Sequence, residues 1–299
     1  MRDLLLLLPD FLLIVCGFVV CRYTPLNRTV WESAEKLVYY LLFPVLLFTS
    51  IVRSPLRPGE TATLAAGGLA TVGLGIALAY ALKRWPGVDA RLHASGAQTA
   101  FRFNSYVALA LAERLAGPPG VAWMALLVAV AVPVCNVAAV YPLARHGGQH
   151  YGRELMRNPL IVSTVAGLVA NLAGLTLPEP VGVVLQRIGN AALPLGLMAV
   201  GAGLQLGGLA AAPWLAAGFL SIRHAALPVA GLLLGHAFAL PAGQRMVLLA
   251  FAAMPTASSA YVLAIRMGGH GPFTAGLVTM STLLGMLTLP AWLALQHAL

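Results

Sequence analysis

The chain has 299 residues, 60% of them hydrophobic and 9% charged, with a mean hydropathy of +0.86. Apolar runs of about twenty residues recur from end to end, which a soluble core does not need and a polytopic membrane protein does. The formal charge of +9 does not point to nucleic acid, because the basic residues are spread between apolar segments rather than gathered with aromatics. Cys16, Cys21 and Cys135 are odd in number and lie inside apolar segments, so they read as packing residues rather than a disulfide framework or metal site. No cofactor is expected.

In chain order, Arg2 followed by an apolar run imitates a secretory signal. Pro9 and Asp10 interrupt that run, no small-x-small cleavage site follows, and no small residue precedes Cys16 as a lipoprotein site requires, so the stretch reads as a first span. Lengths and Gly, Pro and charged boundaries predict an all-α membrane protein of ten spans. They fall near 4–21, 33–52, 60–82, 92–115, 119–144, 159–177, 181–206, 212–239, 245–266 and 272–296. The connections are short. The longest polar one, at 146–158, is too small for a soluble domain, so the chain divides into halves at 1–145 and 159–299 with no catalytic module. Arg22, Arg28, Lys36, Lys83, Arg84, Arg91, Arg145, Arg153, Arg157 and Arg266 fall on one side of the spans. Only Arg2, Arg53, Arg57, Arg114 and Arg245 fall on the other, while Arg102, Arg187 and Arg223 lie within spans. The positive-inside bias then places the 146–158 loop in the cytoplasm and both termini outside.

The halves echo one another. Pro9 and Pro159 each open a span, Pro44 and Pro194 sit mid-span, Leu64-Ala65-Ala66-Gly67 recurs as Leu215-Ala216-Ala217-Gly218, and Pro142 matches Pro290, all at nearly one offset. Five spans separate the copies, so the second is inverted relative to the first. In span 9, Met254-Pro255-Thr256 places a proline inside an apolar run, which strips Phe251 and its neighbours of backbone donors. Such a break must be buried in protein or line a wet cavity, and the hydroxyls of Thr256, Ser258 and Ser259 suit a cavity. A proline kink mended by hydroxyls is the plainer alternative. The repeat offset sends Pro255 back to Asn104, a strong N-cap and a poor helix-interior residue, preceded by Arg102 and followed by Ser105. Two broken spans meeting near the midplane would present two half-helix N-termini, with free N–H groups and partial positive charge, to a carboxylate. Arg102 would add a full charge, or else pair with a carbonyl or snorkel. Asn136 lies on one face with Pro133 and needs a polar partner, either a solute or another helix; Asn190 and Asn171 fit the helix–helix role better. Asp10, His224 and His236 are the titratable residues open to proton coupling, and a sodium site finds few carboxylates. Neither H-E-x-x-H nor Gly-x-Gly-Asp occurs, and His93-Ala94-Ser95-Gly96 lacks the glycine of an intramembrane serine protease, which argues against an enzyme.

Across FRFNSYVALA, VPVCNVAAVYPL, NPLIVSTVAGL, LPLGLMAVGAGLQL, AAMPTASSAYVLA and STLLGMLTLP the chain resembles the bacterial branch of the auxin efflux carrier family, and more distantly the bile acid:sodium symporter-like fold. The resemblance covers nearly the whole chain. It implies two inverted five-span repeats, with spans 1, 2, 6 and 7 as a scaffold, spans 3–5 and 8–10 as a mobile unit, and spans 4 and 9 unwound where they cross. It also implies efflux-type transport of small organic anions, auxin-like or dicarboxylic, by elevator-type alternating access in the bacterial inner membrane, with a homodimer through the scaffold. Asn104 and Pro255 match the crossover and Asn136 a substrate-facing asparagine, so the expected binding set is Arg102, Asn104, Ser105, Asn136, Pro255, Thr256 and Ser258. The short 146–158 loop departs from the long loop of plant auxin exporters, which weakens auxin itself as substrate. Sodium-coupled symport on the same fold is the alternative, and a channel would use the same spans.

Overall fold

The computed structural model describes residues 2–53, 58–144, 159–204, 208–257 and 259–298. The predicted loop at 146–158 and Ser258 lie outside the described residues. All regular structure among those residues is helical. In chain order the helices are α1 (Arg2–Tyr23), α2 (Arg28–Leu37), α3 (Phe43–Val52), α4 (Pro58–Ala81), α5 (Ala90–Phe101), α6 (Ser105–Ala144) and α7 (Pro159–Leu172). They continue with α8 (Glu179–Asn190), α9 (Ala192–Ala202), α10 (Pro213–Ser221), α11 (Leu227–Ala237), α12 (Ala242–Ala253), α13 (Ser259–Arg266) and α14 (Gly271–Ala298).

Local chemistry sets the ends. Asn27 caps α2 by accepting from Thr29 N at 3.1 Å, and Asp89 caps α5 by accepting from Leu92 N at 2.8 Å. The Asn27 cap starts the second predicted span at Arg28 instead of 33, and Arg28 then pairs with Glu32 at 3.6 Å and Glu35 at 2.8 Å. Gly117, at φ 60° and ψ −149°, bends α6 just before Pro118 and Pro119, so the 40-residue helix is two rods. That bend falls where the fourth and fifth predicted spans meet.

Five stretches are long and apolar enough to cross a bilayer: Thr61–Arg84, Ala90–Leu143, Glu179–Ala202, Pro213–Ala237 and Gly271–Ala298. The second, at 54 residues, is too long for one crossing of a core roughly 30 Å thick. Leu12–Tyr23 and Ala242–Ala253 are shorter apolar helices. Exposed leucines and valines such as Leu12, Val169, Leu233 and Leu287 give the surface the apolar face that lipid requires.

Two groups of helices emerge from the packing. In the first, α1 lies on α9 and α3 lies on α7 and α8. Backbones touch closely where α1 meets α9. A Cβ at Gly17 would stand 1.9 Å from Met198 O, and one at Gly201 would stand 1.8 Å from Ile14 O. Asn171 on α7 donates to Ile51 O at 2.9 Å and Val52 O at 3.1 Å, the helix–helix role expected of it. Asn190 does not share that role; it is exposed at the end of α8, because the chain turns there ahead of Pro194. The second group joins α4, α5, α6 and α10 to α14, with α12 packed between α6 and α11 and α14 against α5. Phe43 of α3, stacked on Tyr106 of α6 at 4.6 Å, is one contact between the groups.

Prolines inside helices leave carbonyls without their usual donors, and at two of them a side chain from a neighbouring helix supplies the lost bond. The Tyr80 hydroxyl donates to Ala138 O, which Pro142 deprives of its partner. Trp292 Nε1 donates to His224 O at 2.9 Å, the carbonyl facing Pro228. Two wide π turns, Val38–Leu42 and Ile222–Ala226, lead into α3 and α11, each of which carries its proline at the second position.

Candidate functional site

Two helices stop in the middle of the second group. α5 ends at Phe101, where Arg102 turns extended at φ −74° and ψ 139°, and α6 begins at Ser105. α12 ends at Ala253, Met254 is extended at φ −58° and ψ 142°, and α13 begins at Ser259. Asn104 N donates to Pro255 O at 2.8 Å, so the two interruptions touch. Asn104 also caps α6, its Oδ1 accepting from Tyr106 N at 3.0 Å and Val107 N at 3.3 Å.

Each interruption frees backbone groups that hydrocarbon would not tolerate, and protein donors and acceptors meet them. Thr256 Oγ1 donates to Thr99 O at 2.6 Å, and Thr256 N donates to Ser281 Oγ at 2.9 Å. Arg223 Nη2 donates to Ala252 O at 2.6 Å, replacing the bond that Thr256 N would make in an unbroken helix. Cys135 Sγ approaches Phe101 O at 3.6 Å. The Phe103 ring packs edge-on against Phe251 at 4.6 Å.

Beside the crossing lies a cavity of about 240 Å³. Arg102, Asn104, Ser105, Cys135, Asn136 and Ser259 supply its polar lining, with Tyr39 and Tyr106 at the wall shared with the first helix group. The starts of α6 and α13 both border it through Ser105 and Ser259, so the partial positive charge of two helix ends lies beside the same space. Arg102 is held by Gln98 Oε1 at 2.9 Å and by Ser259 Oγ at 3.1 Å, and thus spans the gap between the two broken helices. Asn104 is 3% exposed, yet its Nδ2 has no partner. A buried amide of that kind lacks a hydrogen-bond acceptor. The lining contains no carboxylate, so the chemistry suits an anion.

Of the residues expected at the site, Arg102, Asn104, Ser105 and Asn136 come together around the cavity. Pro255 and Thr256 are buried behind it, where they shape the crossing and do not line it. In its described contacts Arg102 pairs with the side-chain carbonyl oxygen of Gln98 and with the Ser259 hydroxyl. Cys135, read as a packing residue, lines the cavity, whereas Cys16 is exposed. Gln98, Tyr39 and Ser281 carry no signal in the sequence, whereas Ser259 stands in the hydroxyl run after Pro255 and Arg223 lies within a span. His224 is buried and bonded to Ser281 Oγ at 2.9 Å and Thr288 Oγ1 at 3.1 Å, while His236 is exposed.

A helical chain with several membrane-length apolar helices and a partly polar cavity beside two interrupted ones has the build of a multi-pass membrane transporter. The family model described as "Membrane transport protein" matches residues 89–293. The "Putative malonate transporter" of Rhizobium meliloti (strain 1021) is 26% identical over 317 residues, covering 97% of this chain and 94% of that protein. The chain belongs to the membrane transport protein family, that of the auxin efflux carriers. Family and relative alike carry the description of transporters.

Proposed function

We propose that the chain is an alternating-access carrier of small organic anions, with malonate-sized carboxylates held at the crossing of two broken spans. The observation that supports this best is the cavity itself, bordered by the starts of two helices, the Arg102 side chain and Asn104 with no carboxylate in its lining. Its volume of about 240 Å³ lies below the roughly 300–1,000 Å³ typical of sites for drug-sized ligands. A short carboxylic acid fits that space better than a bulky ring system, and the relative's name favours a dicarboxylate.

In this reading Arg102, Asn104, Ser105 and Asn136 contact the solute, while Pro255 and Thr256 form the opposing strand of the crossing; Ser258, expected in the binding set, lies outside the described residues. The fold is ten spans in two inverted repeats, residues 1–145 and 159–299. Under the exchange of repeats, the α1–α9 pairing maps onto the α7–α3 pairing, and both occur. Spans 1, 2, 6 and 7 serve as scaffold, and the unit containing α4 to α6 and α10 to α14 slides against it as an elevator. The exposed apolar side of α7 and α8, with Val165, Val169 and Val184, is the face for a homodimer through the scaffold. The carrier sits in the inner membrane of a bacterium with both termini outside.

The test is uptake into liposomes by purified protein, against a panel of mono- and dicarboxylates at two pH values, with and without sodium. Saturable uptake with counterflow is the expected result, and it is lost in Asn136→Ala at normal yield of folded protein. Non-saturating flux without counterflow indicates a pore and rejects the carrier; unchanged flux in Asn136→Ala rejects the site.

A further inference from the structure

Beside the crossing, outside the cavity lining, stands a second arginine. Arg223 is 2% exposed, and its guanidinium is permanently charged. The π turn Ile222–Ala226 directs two consecutive side chains inward, so that both Arg223 and His224 are buried. Together they serve both sides of the break in the ninth span. Arg223 Nη2 binds the carbonyl of Ala252 at 2.6 Å, while His224 Nε2 bonds Ser281 Oγ at 2.9 Å, the same oxygen that accepts from Thr256 N. The neutral Nδ1–H tautomer of His224 satisfies every group in that chain: Ser281 donates to Nε2, Nδ1–H donates to Thr288 Oγ1, and Thr288 donates to Leu284 O.

The charge on Arg223 is not matched. Its Nε and Nη1 have no partner, and among the described residues the ion pairs are those of Arg28. The carbonyl end of α12 supplies about half an opposing charge, and the rest stays as positive potential on the crossing. Ala252 and Pro255 are three residues apart, and Pro255 O bonds Asn104 N at the cavity. The guanidinium therefore lies on the order of 10 Å from the solute position. At that range, in a protein interior of moderate effective dielectric, one unit charge changes affinity by about tenfold for each charge on the ligand.

We infer that Arg223 is a specificity-determining residue of the carrier: a fixed internal cation that never touches the solute, yet raises its affinity in proportion to the solute's negative charge. It thus favours dicarboxylates over monocarboxylates. This rests on the carrier reading above and adds charge selectivity to it. The experiment is equilibrium binding by calorimetry on purified protein, comparing malonate with its monoamide, which carries one charge fewer. Wild type binds malonate more tightly. In Arg223→Gln and Arg223→Met the ratio of the two affinities falls about tenfold, whereas Arg223→Lys keeps the wild-type ratio. Arg223→Met replaces a buried charge with an apolar side chain of similar length, so it provides a folded neutral variant where the glutamine does not. An unchanged ratio in the neutral variants, or an equal fall in the lysine variant, overturns the inference. Absence of carboxylate binding in wild type overturns the carrier reading instead.

Discussion

Asn104 combines two roles that substitution can separate. Its Oδ1 caps α6 through Tyr106 N and Val107 N, while its Nδ2 is buried and unpartnered on a residue that lines the cavity. Replacement by alanine deletes both; replacement by serine keeps a capping oxygen and deletes only the amide nitrogen. Loss of the cap costs about 1 kcal/mol, and serine caps about as well as asparagine. In a chain of this size the alanine variant should melt roughly 2 °C lower, and the serine variant at the wild-type temperature. A hydrogen bond to a charged ligand contributes about 1.5–3 kcal/mol, so both variants should bind malonate roughly 10–150-fold more weakly. Thermal melts in detergent read the first quantity and calorimetric titration with malonate the second. An Asn104→Ser variant that keeps its affinity within about threefold would refute the assignment and leave Asn104 as a cap alone.

Arg102→Gln removes the charge between Gln98 and Ser259, and should weaken carboxylate binding by at least about tenfold while sparing an uncharged analogue; equal loss for both marks Arg102 as structural. Gly17→Ala and Gly201→Ala drive a Cβ into backbone carbonyls at 1.9 and 1.8 Å, and should each destabilise by at least about 1–3 kcal/mol in thermal melts. Gly73, in α4, has no neighbour within 4 Å of an added Cβ, so Gly73→Ala should instead stabilise by roughly 0.5–1 kcal/mol. Tyr80→Phe strands the carbonyl that Pro142 leaves open at Ala138 and should cost about 1–3 kcal/mol without changing malonate affinity.

Much of the fold was legible because lipid restricts the chain to helices, and helices in lipid announce themselves by apolar length and by Gly, Pro and Asn at their ends. The G-P-P at 117–119 marked the bend in α6, and the 150-residue echo pointed from Pro255 to Asn104, which a hydrogen bond joins. Boundaries set by a single cap were less visible. Asn27 begins α2 several residues before the apolar run does, since one side-chain oxygen outweighs the hydropathy of the turn that follows. Asn190 looked like a partner for another helix only because nothing in one dimension shows which way the turn before Pro194 faces.

The site divides along the same line. Residues that break a helix are visible in sequence, because proline and asparagine do so by their own covalent structure; residues that mend the break come from other helices and are not. Thr99, Cys135, Arg223 and Ser281 each supply a group to the crossing from a different position in the chain. A buried arginine within a span was a local anomaly with no assigned cause. The structure provides one: a helix broken in a membrane exposes a carbonyl end as well as an amide end, and each attracts the opposite charge. The amide ends were expected to draw an anion from outside the protein. The carbonyl end of α12 takes its cation from the chain itself at Arg223, so the crossing carries a built-in positive charge before any solute arrives.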